Sequence, residues 1–228
     1  MNEVRATIQK LLEVTVNPQD NYPKIFDLYP ENPVYDRLHY HTVEHVIAVM
    51  RLFTVLRLLR GQFFDTKHVM IAELALAFHD INHTGHSDTF VNDYGWGNIS
   101  FALATLGRHK KKCGTLDVPL IASYIEATEY PHKDLPEVIA LLDTDVLALV
   151  RDADILWGML PGCAEQSMVG LWRERFDAGI DRVMPSPQQM LDRQLKFIHE
   201  YVPFSQAGRS FKDAMMEEAV AAWSRMNY

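Results

Sequence analysis

Apolar residues recur along most of this chain with the three- and four-residue spacing of helices that bury one face. The first helix is predicted over residues 2–14, with an apolar face formed by Val4, Ile8, Leu11 and Leu12. Further helices are predicted at residues 42–59, 99–109, 119–129, 168–178, 188–201 and 211–226, and residues 135–157 are expected to form either one helix or two. No Asn-Gly or Asp-Gly turn joins two alternating segments. The pattern predicts an all-α protein, a compact helical bundle that forms one domain over residues 1–228.

Capping residues mark several ends of these helices. Thr42 precedes the second long apolar segment and is expected to be its N-cap. Another helix is predicted to open at Asp65 and to end within residues 79–85, where Gly85 can stop it. Between the first two helices, a loop is expected because residues 17–33 contain four prolines.

The net charge of −8 disfavours nucleic-acid polymers as partners, because they require a basic surface. The one dense basic run, residues 108–112, is interpreted as a solvated helix end. The two cysteines lie fifty positions apart and form no Cys-x-x-Cys pair, which favours a reducing compartment. The acidic, amphipathic N-terminus is unlike a signal peptide, and no apolar run reaches transmembrane length. We therefore expect a cytoplasmic protein without a membrane partner. Its oligomeric state is not predicted.

Histidines are concentrated in two short segments, residues 39–45 and 79–83. His41 and His45 are four apart, so both project to one side if a helix begins near Thr42. His79-Asp80 follows a very apolar helix, where an imidazole and a carboxylate are costly to bury without a partner. A divalent cation satisfies both groups, since it accepts the neutral imidazole nitrogen and neutralises the carboxylate.

A further carboxylate is needed to balance such a cation. Asp154 is the best candidate, because it lies in an otherwise apolar helical segment, residues 149–156. Its neighbour Asp152 is half a turn away and is expected to face solvent or Arg151. Taken singly, each residue has an ordinary alternative as a helix cap, a core histidine or a surface acid. Together, the order His…His-Asp…Asp on successive helices predicts a metal site.

This order resembles the HD-domain metal-dependent phosphohydrolase superfamily, and class I cyclic nucleotide phosphodiesterases in particular. Residues 40–46 (YHTVEHV) are similar to the Tyr-His-Asn-x-x-His-Ala segment of those enzymes. Residues 79–90 (HDINHTGHSDTF) resemble their His-Asp-x-Asp-His-x-Gly-x-x-Asn-x-Phe signature. Shorter matches follow in the same order at residues 125–129 (IEATE), 152–154 (DAD) and 194–198 (QLKFI).

The resemblance implies a role for each matched residue. The first metal, typically zinc, would be held by His45, His79, Asp80 and Asp154. Asp80 would bridge to a second metal, magnesium or manganese. His41 would be the general acid, and His83 would fix the bridging water or Asp80. The purine base would be read by Gln194 and stacked on Phe197.

The reaction implied is hydrolysis of a 3′,5′-cyclic nucleotide to the 5′-monophosphate by a metal-bridged hydroxide, with His41 protonating the leaving oxygen. The partner would be a small-molecule phosphoester. After Asp154, however, residues 155–158 (ILWG) replace the family's Leu-Ser-Asn-Pro, which removes an asparagine that contacts the base. Two alternatives are therefore kept: an HD-type phosphatase of nucleoside monophosphates or another small phosphoester, and a catalytically silent HD-fold sensor.

Overall fold

Helices form nearly all of the regular structure of this protein. The computed structural model describes residues 2–31, 37–86, 97–113, 117–132, 140 and 142–226, and no strand occurs among them. The α-helices are α1 (Asn2–Val14), α2 (Pro18–Asn21), α3 (Pro23–Phe26), α4 (Val43–Arg60), α5 (Thr66–Phe78), α6 (Asn98–His109), α7 (Val118–Glu126), α8 (Thr144–Leu156), α9 (Leu171–Asp177), α10 (Pro187–Glu200) and α11 (Gln206–Ser224). The all-α prediction is confirmed.

Helix α4 is the central element of the bundle. It packs against α1, α5, α8 and α11, and most of its length is buried. The Thr42 side chain accepts a hydrogen bond from the backbone N–H of His45, as the sequence predicts for an N-cap. At the other end, Gly61 adopts a left-handed φ of 64°, which ends the helix. These two residues therefore fix where His45 lies along the bundle.

Helices α5 and α8 are the other two elements that position polar residues in the core. Asp65 caps α5 by accepting from the Lys67 N–H, and Asp143 caps α8 in the same way. Helix α5 packs on both α4 and α8. It ends at Phe78, at the start of the predicted segment, and the left-handed φ of 59° at Asn82 turns the chain. The residues just after α5 therefore lie between α4 and α8.

The predicted helices agree with the structure along most of the chain, with three differences. The proline-containing segment expected to be a loop contains α2, α3 and a 3-10 turn (Tyr29–Glu31), because Pro is well suited to the first turn of a helix. The last helix begins at Gln206, five residues earlier than predicted, where Ser205 caps it. Helix α8 begins only at Thr144 within the predicted helical segment 135–157, of which residues 135–139 and 141 lie outside the described residues. No described helix is both long and apolar enough to cross a membrane.

Candidate metal centre

Four side chains from α4, the end of α5 and α8 converge at the centre of the bundle. His45 Nε2 lies 2.9 Å from Asp80 Oδ2 and 3.8 Å from Asp154 Oδ1. His79 Nε2 lies 3.4 Å from Asp80 Oδ2 and 3.2 Å from Asp154 Oδ1. We call these four residues the convergent cluster. They are the four that the sequence predicts as ligands of the first metal.

Within the described part of the chain, two ligand atoms of the convergent cluster lack hydrogen-bond partners, and those of His45, His79 and Asp80 lie close enough together to hold an ion. Although His79 Nε2 and Asp80 Oδ2 have close neighbours, both are buried without a hydrogen-bond partner among the described residues. Two ligands in tetrahedral contact with a zinc ion lie about 3.4 Å apart, given bonds of about 2.1 Å. The four separations in the cluster scatter around that value. Buried polar atoms without partners are costly, and a cation at their centre would satisfy them.

The tautomer of one imidazole is suited to metal binding. His79 Nδ1 donates a hydrogen bond of 2.6 Å to the carbonyl oxygen of Leu76, so its Nε2 carries the lone pair that faces the cluster. His45 is held differently, by aromatic contacts. Its ring stacks on Tyr40 at 5.3 Å and meets the edge of Trp157 at 4.6 Å. Both rings are therefore fixed before any ligand binds.

The charges of the cluster match a divalent cation. Burial by itself lowers the pKa of His79, but the carboxylates of Asp80 and Asp154 raise it to about 10. Burial opposes the ionisation of Asp80, yet His79 and His41 hold the pKa of that carboxyl well below its usual range. Burial lowers the pKa of His45. The two carboxylates thus concentrate negative charge in the core, and a divalent ion that bound Nε2 of His79 would replace the proton that this charge otherwise holds there. The donor set fits a metal ion.

A second group of histidine and carboxylate lies beside the first. His41 Nδ1 donates a hydrogen bond of 2.5 Å to Glu174 Oε1, and the His41 ring stacks on His83 at 3.4 Å. The 3.6 Å separation between His83 Nδ1 and Glu174 Oε1 closes the group. We call these three residues the His41 cluster. Its three ligand atoms are also close enough to surround an ion.

The chemistry of the His41 cluster is nevertheless satisfied internally. Glu174 Oε2 accepts backbone N–H groups of residues 39, 40 and 41 at 3.1, 2.9 and 3.1 Å. Burial alone would raise the pKa of Glu174, but the charge and hydrogen bond of His41 lower it to about 2. Glu174 is therefore an ionised carboxylate that holds the position of His41, and the Nδ1 bond leaves Nε2 as the nitrogen that can donate a proton.

Glu174 was not identified from the sequence. It lies in α9 among exposed charged residues, and it contacts a segment more than 130 positions away. No local pattern distinguishes it from Arg173 or Asp177, which are exposed. Only its burial and its partners reveal its importance.

His83 is the member of the His41 cluster whose ring stacks on His41. Its Nδ1 accepts a hydrogen bond of 3.0 Å from the Gly85 N–H, and its Nε2 lies 2.7 Å from Asn98 Nδ2. Burial, together with the charge of His41, lowers the pKa of His83 to about 3, so the ring is neutral at physiological pH. The structure places His83 against His41 and Glu174, and its expected role toward the bridging water or Asp80 stays a prediction.

Every residue of the two clusters except Glu174 lines one cavity of about 390 Å³, a volume in the range of small-molecule sites. Gln194 and Phe197 of α10 also line it, as expected of residues that contact the substrate. Phe197 meets the ring of Tyr130 edge-to-face at 5.8 Å. The structure thus brings together all eight predicted site residues around one cavity. Residues 87–90, the last part of the matched signature, lie outside the described residues.

The expectation for Asp152 was wrong. Asp152 is fully buried rather than facing solvent or Arg151, and its carboxylate accepts hydrogen bonds from Tyr201 Oη, the Phe204 N–H and both N–H and Oγ–H of Ser205. Helix α8 is buried on nearly every side, so Asp152 and Asp154 face two different interior regions. Asp152 ties the start of α11 to α8, while Asp154 faces the cavity.

No family of known proteins, no curated protein and no solved structure matches this chain. The function of the chain is therefore inferred from its own residues and the geometry of the site.

Proposed function

We propose that this protein is a metal-dependent phosphohydrolase of the HD-domain kind. The observation that carries the proposal is the convergent cluster, in which the imidazole nitrogens lie 2.9–3.8 Å from the carboxylate oxygens and two of these atoms are buried without a hydrogen-bond partner among the described residues. The resemblance of residues 40–46 and 79–90 to phosphodiesterase motifs points the same way. We further propose that two divalent ions bind, zinc in the convergent cluster and magnesium or manganese beside Asp80.

Such ions supply positive charge to the phosphoryl oxygens and lower the pKa of bound water when they are present. The chain's own residues supply the remaining steps. His41, 17% exposed at its side chain, lines the cavity and carries a proton that Glu174 stabilises. It donates that proton from Nε2 to the leaving oxygen, which otherwise departs as an unstable alkoxide. The neutral His83, stacked on His41, holds the imidazole plane.

The favoured substrate is a 3′,5′-cyclic nucleotide, converted to the 5′-monophosphate. Its ring phosphodiester leaves one oxygen to be protonated, which a single donor such as His41 can do. Phe197 and Tyr130 form an aromatic wall on which a base can stack. Gln194, three positions before Phe197, offers an amide donor and acceptor to the edge of that base.

One observation favours the alternative, a phosphatase of nucleoside monophosphates or another small phosphoester. Trp157 stands where the related enzymes carry an asparagine that contacts the base. Its side chain is fully buried, and its Nε1–H donates to Tyr40 Oη at 3.2 Å. An indole in this position fixes Tyr40 and His45 and offers no amide to a base.

A hydrolysis screen tests both forms of the proposal. The purified protein is loaded with zinc, manganese or magnesium and given cyclic AMP, cyclic GMP and the 5′-mononucleotides. We expect metal-dependent turnover of a cyclic nucleotide. Release of phosphate from mononucleotides alone would favour the phosphatase. If the metal-loaded protein hydrolyses neither these nucleotides nor the small phosphoesters used as general probes, the result would favour a catalytically silent HD-fold sensor.

A further inference from the structure

Two arginines belong to the described wall of the cavity, and they differ in whether a carboxylate neutralises them. Arg175 of α9 is paired with Asp181, with Nε–Oδ2 and Nη2–Oδ1 distances of 2.7 and 3.4 Å. Arg193 of α10 has no carboxylate partner among the residues that the structure describes. Within the described lining, Arg193 is thus the arginine whose positive charge is not balanced by a neighbour.

Trp172 holds the Arg193 guanidinium in place. The Cζ atom of Arg193 lies 4.6 Å from the centroid of the Trp172 ring, and that of Arg175 lies 5.5 Å from the same ring. Stacking on an indole leaves the N–H groups of a guanidinium directed outward, where they can bind an anion in a forked geometry. The stack also restricts the side chain before a ligand arrives, so that less conformational entropy is lost on binding.

The two helices that contain Trp172 and Arg193, α9 and α10, also contain residues of the candidate reaction site. Trp172 lies two residues before Glu174, the residue that holds His41, and Arg193 directly precedes Gln194. All of these except Glu174 line the cavity. Arg193 is therefore on the wall of the substrate cavity, next to the residue expected to read the base.

We propose that Arg193, stacked on Trp172, binds a second anionic group of the substrate, one separate from the phosphoryl group that reacts. This inference rests on the proposed phosphohydrolase reaction, and within that reaction it favours phosphoesters that carry an additional phosphate or carboxylate over a simple cyclic nucleotide, which would be turned over less efficiently. A chain with a net charge of −8 repels anions in general. A positive charge in its cavity that no carboxylate neutralises therefore suits direct binding of one anionic group of the substrate.

Two chromogenic diesters test the proposal, because they share one scissile bond. These are thymidine 5′-(4-nitrophenyl phosphate) and the same compound with a 3′-phosphate. We expect the metal-loaded protein to show a kcat/KM about tenfold higher for the 3′-phosphorylated diester, the effect of one charge-assisted contact to an exposed arginine. Arg193→Gln should bring the ratio close to one, and Arg193→Lys should retain part of it.

Lys196→Gln is the matched control. Lys196 lies three residues further along α10, is 73% exposed, pairs with Glu200 and is not part of the cavity wall. Its loss removes the same charge from the same helix, and the ratio should stay as in the unmodified protein. A ratio near one in the unmodified protein, or a high ratio retained in Arg193→Gln, would overturn the proposal.

Binding separates this proposal from the proposed reaction. By calorimetry, thymidine 3′,5′-bisphosphate should bind the metal-loaded protein about tenfold more tightly than thymidine 5′-monophosphate, and Arg193→Gln should remove the difference. If neither diester is hydrolysed but this difference is observed, the reaction is wrong and the anion contact stands. If the diesters are hydrolysed and the two nucleotides bind equally, the anion contact is wrong and the reaction stands.

Discussion

The convergent cluster and the His41 cluster lie side by side on one cavity and contain the same kinds of side chain, yet their atoms are satisfied in different ways. In the His41 cluster, the Glu174 carboxylate accepts three backbone N–H groups and an imidazole N–H. In the convergent cluster, buried donor and acceptor atoms lie near one another without forming hydrogen bonds. Composition alone therefore does not identify a metal site. The identifying feature is a set of buried ligand atoms that lack protein partners.

This difference assigns two distinct functions to neighbouring groups. In the proposed function, the convergent cluster binds a cation, whereas the His41 cluster holds a proton at a defined atom. Substitutions that affect one cluster and not the other should separate metal content from turnover.

The largest effect is expected from Asp80→Ala. The substitution deletes the oxygen that lies within 3.4 Å of both imidazoles of the convergent cluster, so metal loading should be lost and turnover should fall by about 10³-fold or more. Elemental analysis and a hydrolysis assay measure the two quantities. Asp213→Ala, an exposed carboxylate on α11, is the control and should leave both unchanged. Full metal content and turnover in Asp80→Ala would show that the convergent cluster is not the site.

A smaller effect is expected from Glu174→Gln. In the glutamine, an NH₂ group takes the place of Oε1 and cannot accept the N–H of His41. His41 is then no longer held with its proton in place, so turnover should fall by about 10²-fold to 10³-fold. Metal content should stay close to that of the unmodified protein. Glu165→Gln, which changes an exposed residue, serves as the comparison. Loss of the metal in Glu174→Gln would mean that the two clusters form one metal site.

Acid stability should also distinguish Glu174. Its pKa is lowered from 4.5 to about 2 in the folded protein, so its ionised form stabilises the fold at pH values above its unfolded pKa. That contribution, up to about 3 kcal/mol, is lost as the pH falls from 4.5 towards 2. Urea unfolding at pH 6 and pH 3.5 measures it. The stability difference between the unmodified protein and Glu174→Gln should shrink at the lower pH, and a difference that stays constant would contradict the assignment.

The smallest effect concerns the close contact between Gly170 and the backbone of His39. Gly170 ends the π-helical turn (Gln166–Gly170) that precedes α9. A Cβ atom at Gly170 would lie 2.3 Å from the backbone carbonyl oxygen of His39, so Gly170→Ala should destabilise the fold by about 1–3 kcal/mol. Gly107→Ala is the matched control, because a Cβ there meets nothing within 4 Å. It lies inside α6 and should stabilise the protein by up to about 1 kcal/mol. Equal effects in urea unfolding would contradict this packing.

The sequence predicted the parts of the molecule that depend on local pattern. The end of an apolar helix at His79-Asp80 and the cap at Thr42 are both readable from neighbouring residues. Periodicity could not decide the environment of Asp152, because it gives the angle between two side chains and not whether both sides of the helix are buried. Glu174 could not be found at all, since its importance comes from backbone groups of residues 39–41, brought to it by the fold.

The anomalous signal of a crystal grown with zinc tests the central claim most directly. X-ray data collected at the zinc absorption edge should show a peak bonded by His45, His79, Asp80 and Asp154, with His41 still paired with Glu174. A peak bonded by His41, His83 and Glu174 instead, or no peak in the cavity, would contradict the account.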